Sequence, residues 1–112
     1  MREVRQRVTE WAHENGARAE AQRTLTLLTS EIVSNAVQHG PPGGPITVVA
    51  RRDRTGFRVE VTDTGAGEPV VRPFEVTRAR GRGMQLVEML STEWGISRDN
   101  GGGTSVWFFV SG

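Results

Sequence analysis

The chain has neither cysteine nor lysine. Without cysteine there is no disulfide, no thiolate zinc site, no iron–sulfur cluster and no cysteine nucleophile, and a reducing cytoplasm suits the sequence. Without lysine there is no P-loop lysine, no Schiff-base lysine and no strand lysine of the eukaryotic protein-kinase type. Any phosphate chemistry must then rest on arginine, backbone amides and a metal ion. No apolar run of about 18 residues is present to cross a bilayer, and the arginine-rich first residues lead into no apolar stretch of the kind a signal peptide needs. The expectation is a cytoplasmic protein without a membrane partner. Fourteen basic residues, all arginine, against 13 acidic ones leave a net charge of +1. No basic stripe interleaved with aromatics stands out, so direct nucleic-acid binding is not expected.

What remains is an ordinary globular composition, 36% hydrophobic with 14 glycines, in a chain of 112 residues that suits a single domain spanning 1–112. Val4, Val8, Trp11 and Ala12 recur at helical spacing and predict an amphipathic helix over 2–15, stopped at Asn15-Gly16. A second, longer helix is predicted over about 18–38, with Leu25, Leu28, Ile32, Val33, Ala36 and Val37 as its buried stripe and His39-Gly40-Pro41-Pro42 as its end. The period then changes to two. Ile46, Val48 and Ala50 share one face, 53–56 reads as a turn, and Phe57, Val59 and Val61 alternate with Arg58, Glu60 and Thr62, which makes a hairpin. Residues 64–82 carry four arginines, two prolines and three glycines with no long period, and read as a mobile loop. Met84, Val87 and Leu90 predict a third helix. Trp94 and Ile96 begin a strand that turns at 99–103 into Val106, Phe108 and Val110. Hairpins with helices long enough to cover one face predict an α+β fold, a two-layer sandwich with the other sheet face more exposed.

Three short patterns could carry chemistry. Glu31 and Asn35 are four apart and so share a helix face, where an amide oxygen could ligate magnesium and a carboxylate could take a proton from an attacking hydroxyl. Asp63 closes the hairpin on the face of Phe57, Val59 and Val61. A carboxylate there needs a donor, which the exocyclic amine of adenine would supply and guanine would not, and Gly65 and Gly67 would let the backbone approach a base. Gly81 and Gly83 precede the third helix, whose free N–H groups attract anions, with Arg78, Arg80 and Arg82 nearby. Each has a plain alternative on its own: a solvated helix face, an Asp/Gly turn, a glycine-rich helix entry. The last is not a Rossmann fingerprint, because a loop and not a strand precedes it. His13 reads as a surface residue and His39 as a helix-end residue favoured by the dipole.

Taken together, Glu31-x-x-x-Asn35, Asp63-x-Gly65-x-Gly67 and Gly81-x-Gly83-x-x-Leu86 resemble the N, G1 and G2 boxes of the GHKL ATPase superfamily. "SEIVSNAVQHG" and "GRGMQLVEMLSTEWG" resemble the compact anti-sigma-factor serine/threonine kinases of actinobacterial type. The resemblance implies the histidine-kinase-like sandwich, with a mixed, mainly antiparallel sheet and helices on one face. It also implies ATP and Mg2+ as cofactors, Asn35 as metal ligand, Glu31 as catalytic base, and Asp63 on the adenine amine with Thr104 helping to hold the base. Gly65, Gly67, Gly81 and Gly83 would shape the cleft and its lid over 68–80. In that family the domain binds a sigma factor and phosphorylates a serine on a STAS-type anti-anti-sigma antagonist. Relatives usually open with a strand ahead of the first helix, whereas here Met1-Arg2 runs straight into it. That departure bears on homodimerisation and partner binding more than on nucleotide binding. Two other readings stay open: an ATP-binding sequestering module without transfer, and the ATPase domain of a sensor histidine kinase.

Overall fold

A computed structural model describes residues 2–39, 44–63, 82–98 and 103–112. The helix α1 (Arg2–Glu14) buries Val8 and Ala12 and half-buries Val4 and Trp11, the stripe its spacing predicts. It ends where Gly16 takes φ +86°, a conformation open to a residue without Cβ. There Gly16 N–H donates to His13 O (3.1 Å) and Ala17 N–H to Ala12 O (2.9 Å), the paired bonds of a Schellman ending. The turn sends the chain back as α2 (Ala19–His39), and a hydroxyl bond of 2.7 Å between Thr9 and Thr26 ties the two helices together.

The stripe of α2 buries Leu25, Leu28, Ile32, Val33 and Ala36. Val37 departs from expectation and stands 62% exposed. It lies about 100° around the helix from Ala36, beyond the flank that the sheet covers. Thr29, in the middle of the stripe, is fully buried with a hydroxyl that has no hydrogen-bond partner.

Four strands follow the alternation: β1 (Ile46–Arg52), β2 (Gly56–Asp63), β3 (Glu93–Arg98) and β4 (Thr104–Ser111). Their order is β1-β2-β4-β3, and each of these pairs is antiparallel. The two expected hairpins are therefore joined through β2 and β4. Phe57, Val59 and Val61 from β2 and Val106, Phe108 and Val110 from β4 face the helices and form the core with α2. Trp11 of α1 meets the edge of Phe57 at 5.9 Å between ring centroids.

The third helix, α3 (Arg82–Leu90), begins earlier than the apolar spacing suggests, so Gly83 lies inside its first turn and not ahead of it. It packs on α2 and β3 through fully buried Val87 and half-buried Leu86. Leu90, expected on that face, is 42% exposed, because the helix stops there and Ser91 N–H bonds back to Val87 O (2.9 Å).

Among the described residues no helix covers the far face of the sheet, yet Trp107 and Phe109 there are only half exposed. Trp107 lies over Gly95 on the neighbouring strand, so closely that a Cβ at Gly95 would sit 2.6 Å from Nε1. Arg58 stacks above the same indole at 4.2 Å. Phe109 likewise lies against Gly56, where a Cβ would come within 2.7 Å of its Cζ.

Candidate functional site

Glu31 and Asn35 sit one turn apart on α2, at the flank of the buried stripe opposite Val33. Glu31 is half-buried. Asn35 is buried, and its Nδ2 has no hydrogen-bond partner. An amide donor shut away from water without an acceptor costs about 1–3 kcal/mol, so this position asks for a ligand that brings one.

Asp63 is the last residue of β2. The register sets it between Ile46 of β1 and Thr104 of β4, and both Asp63 and Thr104 are buried. Sequence reasoning placed Asp63 on the inner face by alternation, and the β2–β4 pairing puts Thr104 beside it. The same row continues to Arg98 of β3, opposite Thr104 and half-buried on the inner face. Sequence reasoning missed it. The signal was there, since Trp94, Ile96 and Arg98 alternate onto one face and an arginine breaks that apolar pattern. Asp63, Arg98 and Gly103 each already engage another group of the chain.

Both pairs border the same helix–sheet layer, because α2 packs on β2 and β4. Gly83 is at the start of α3. Gly65, Gly67 and Gly81, the lid over 68–80 and the stop at 40–42 lie outside the described residues. His13 is exposed on α1, with Gln22 Nε2 3.4 Å from its Nδ1, and His39 is the last residue of α2. Among the described residues there is no group of three or more His, Asp or Glu able to cage a metal ion by itself, and no helix long and apolar enough to cross a membrane. A magnesium ion here would take few protein ligands and rely on phosphate oxygens and water, the usual habit of that ion. One neutral amide oxygen beside a carboxylate fits this.

Comparison with known proteins gives the chain a family. The histidine kinase-like ATPase domain matches residues 1–110. The chain belongs to that family. A 47-residue stretch, 42% of this chain and 6% of the relative, is 40% identical to the sensor protein DivL of Caulobacter vibrioides. The histidine kinase domain of the blue-light-activated histidine kinase of Erythrobacter litoralis superposes with a TM-score of 0.62 at 25% identity, over 95% of this chain and 62% of that one. The Acinetobacter baumannii histidine kinase AdeS matches with a TM-score of 0.61 at 12% identity, over 80% of this chain and 46% of that one, a likeness of fold. This chain thus spans a small part of DivL and less than two thirds of each kinase chain. For a histidine kinase-like ATPase domain, ATP is the expected ligand.

Proposed function

We propose that this domain binds Mg·ATP between α2 and the Asp63–Thr104 end of the sheet and donates the γ-phosphoryl group to an acceptor outside it. The observation that carries the reading is the Asn35 amide, buried with an unpartnered donor one turn from a carboxylate. Asp63 accepts the adenine amine, with Thr104 at its side. Asn35 holds magnesium through its amide oxygen and leaves Nδ2 to a phosphate oxygen. The ion, when bound, neutralises charge on the β- and γ-phosphates. Glu31 takes the proton of the attacking group, and Gly65, Gly67, Gly81 and Gly83 shape the cleft.

Two acceptors have support. Sensor-kinase relatives, DivL and the blue-light-activated kinase, favour a histidine acceptor, with this chain as the ATPase part of such a kinase. The wording around Glu31 and Gly83, and a carboxylate base suited to a hydroxyl, favour a serine on a STAS-type antagonist, with a sigma factor as the sequestered partner. Calorimetry with Mg·ATP and Mg·GTP tests the site: ATP binds and GTP does not, and Asp63→Asn loses most ATP binding. Equal affinity for the two nucleotides removes Asp63 from the base pocket. Transfer from labelled ATP to each candidate acceptor separates the two readings, because phosphohistidine is lost in acid and phosphoserine survives it.

A further inference from the structure

A lysine-free chain that binds a nucleotide must meet its phosphates with arginine, backbone amides and a metal ion. Of the arginine side chains among the described residues, all but two are exposed. Arg58 is on the outer face of the sheet, stacked on Trp107. Arg98 is on the inner face, half-buried at the end of β3 beyond Trp94 and Ile96. The other arginine on that face, Arg52, is exposed at the opposite end of the sheet, 4.5 Å above the ring of Phe57. Holding a guanidinium partly away from water costs free energy, which an anion beside it offsets.

Thr104 pairs with Asp63 on one side and with Arg98 on the other, so the three form one row across β2, β4 and β3. Two strand spacings separate Arg98 from Asp63, about 10 Å between their Cα atoms. That exceeds the length of a purine. Ser91 and Thr92 alone join α3 to β3, so helix and strand run back along each other and the start of α3 comes to the Arg98 end. The free N–H groups of that first turn carry partial positive charge. Near the start of α2, Ala21 lies beside Gly112 and Phe57 at the far end of the sheet, so the helix runs toward Asp63 and brings Asn35, with its unpartnered Nδ2, to the same end. On the other side of Asp63 the row ends in Ile46 of β1, which offers an anion nothing.

We infer that Arg98 is the cation that meets the first phosphate of the bound nucleotide. This rests on the proposal that Asp63 takes the adenine amine. With the base held at Asp63, the ribose and α-phosphate that hang from it extend along the row toward β3 and the start of α3, where Arg98 stands. Asn35 and its magnesium act on the β- and γ-phosphates, so the two residues divide the triphosphate between them. Arg98 already engages another group of the chain. A guanidinium has five N–H donors, however, and such a contact leaves others for a phosphate oxygen. The charge-assisted bond that arginine makes to phosphate, frequently a paired one, is among the stronger hydrogen bonds a protein forms.

The test uses the 112-residue chain. Adenosine, AMP and ADP each displace a fluorescent ADP analogue, with and without magnesium. Wild type binds AMP more tightly than adenosine. Arg98→Met weakens AMP and ADP alike by about ten- to a hundredfold, by the same factor whether magnesium is present or not, and leaves adenosine within about twofold. Arg98→Lys keeps the charge and recovers part of the loss at an unchanged far-UV spectrum. Should Arg98→Met fail to fold, Arg98→Lys carries the test alone, since losing the paired bond weakens AMP and ADP severalfold and spares adenosine. AMP affinity untouched by either substitution overturns the inference. So does an equal loss of adenosine, which makes Arg98 a support for Asp63 or for the fold, and so does a loss for ADP without one for AMP, which moves the guanidinium to the outer phosphates. A wild-type chain that binds neither the analogue nor ADP overturns the nucleotide site and this inference with it, and that failure shows before any substitution is made.

Discussion

Glu31 and Asn35 are separated by a single turn of helix, but removing them has different consequences. Phosphoryl transfer depends mainly on positioning and charge neutralisation, and a base acts only on the attacking group. Glu31→Ala is therefore expected to keep ATP affinity within a few-fold while transfer falls by about 10²–10⁴. Asn35→Ala is expected to lower affinity as well, with a loss that shrinks when magnesium is withheld but does not vanish, because the Nδ2 bond to phosphate is lost in either case. Titration calorimetry with and without magnesium, beside single-turnover transfer, separates the two. Thr29 offers a contrast, since its buried hydroxyl has no partner and lies in the stripe that packs on the sheet. Thr29→Val keeps the shape and removes the stranded polar group. Stability should rise by about 1 kcal/mol, or a few degrees in Tm, without a change in nucleotide binding. A lower Tm would mean the hydroxyl has a partner in solution.

Among the elements, β3 and β4 show how a glycine and an aromatic residue divide one place on a sheet. Trp107 occupies the room a side chain at Gly95 would take, and Arg58 lies over the indole. Gly95→Ala must push the ring outward and break that stack, and should cost about 1–3 kcal/mol, read as a lower urea midpoint at unchanged m-value. A neutral result would show the indole free to move. The period-two run Phe57, Val59, Val61 made the inward position of Asp63 readable from the chain, and the Asn15-Gly16 ending of α1 was equally plain. The partnership of Asp63 with Thr104 rests on register between strands 41 residues apart, which no local pattern encodes. Val37 and Leu90 mislead for a related reason. Both are apolar at near-helical spacing, but whether the flank of α2 or the last turn of α3 is covered depends on what tertiary packing brings over it.

At the scale of the whole molecule, the three helices and four antiparallel strands of the described residues share one core, and the proposed nucleotide site borders that layer. The arrangement of layers was legible because the hydrophobic period changes from 3.6 to 2 at a proline and glycine break.

The insertion of β4 between β2 and β3 has a consequence for synthesis. Strands are made in the order β1, β2, β3, β4, but the last of them occupies an interior place. While residues 104–111 are still inside the ribosome, β3 has no strand beside it, and Val59 and Val61 lack their β4 neighbours Phe108 and Val106. Asp63 likewise has no Thr104 beside it. The nascent chain must wait, and contacts between distant residues make that wait slow. A ribosome stalled before Thr104 would carry a chain that cannot complete the sheet or the Asp63–Thr104 pair, so occupancy by nucleotide would report that the domain has been translated through its last strand.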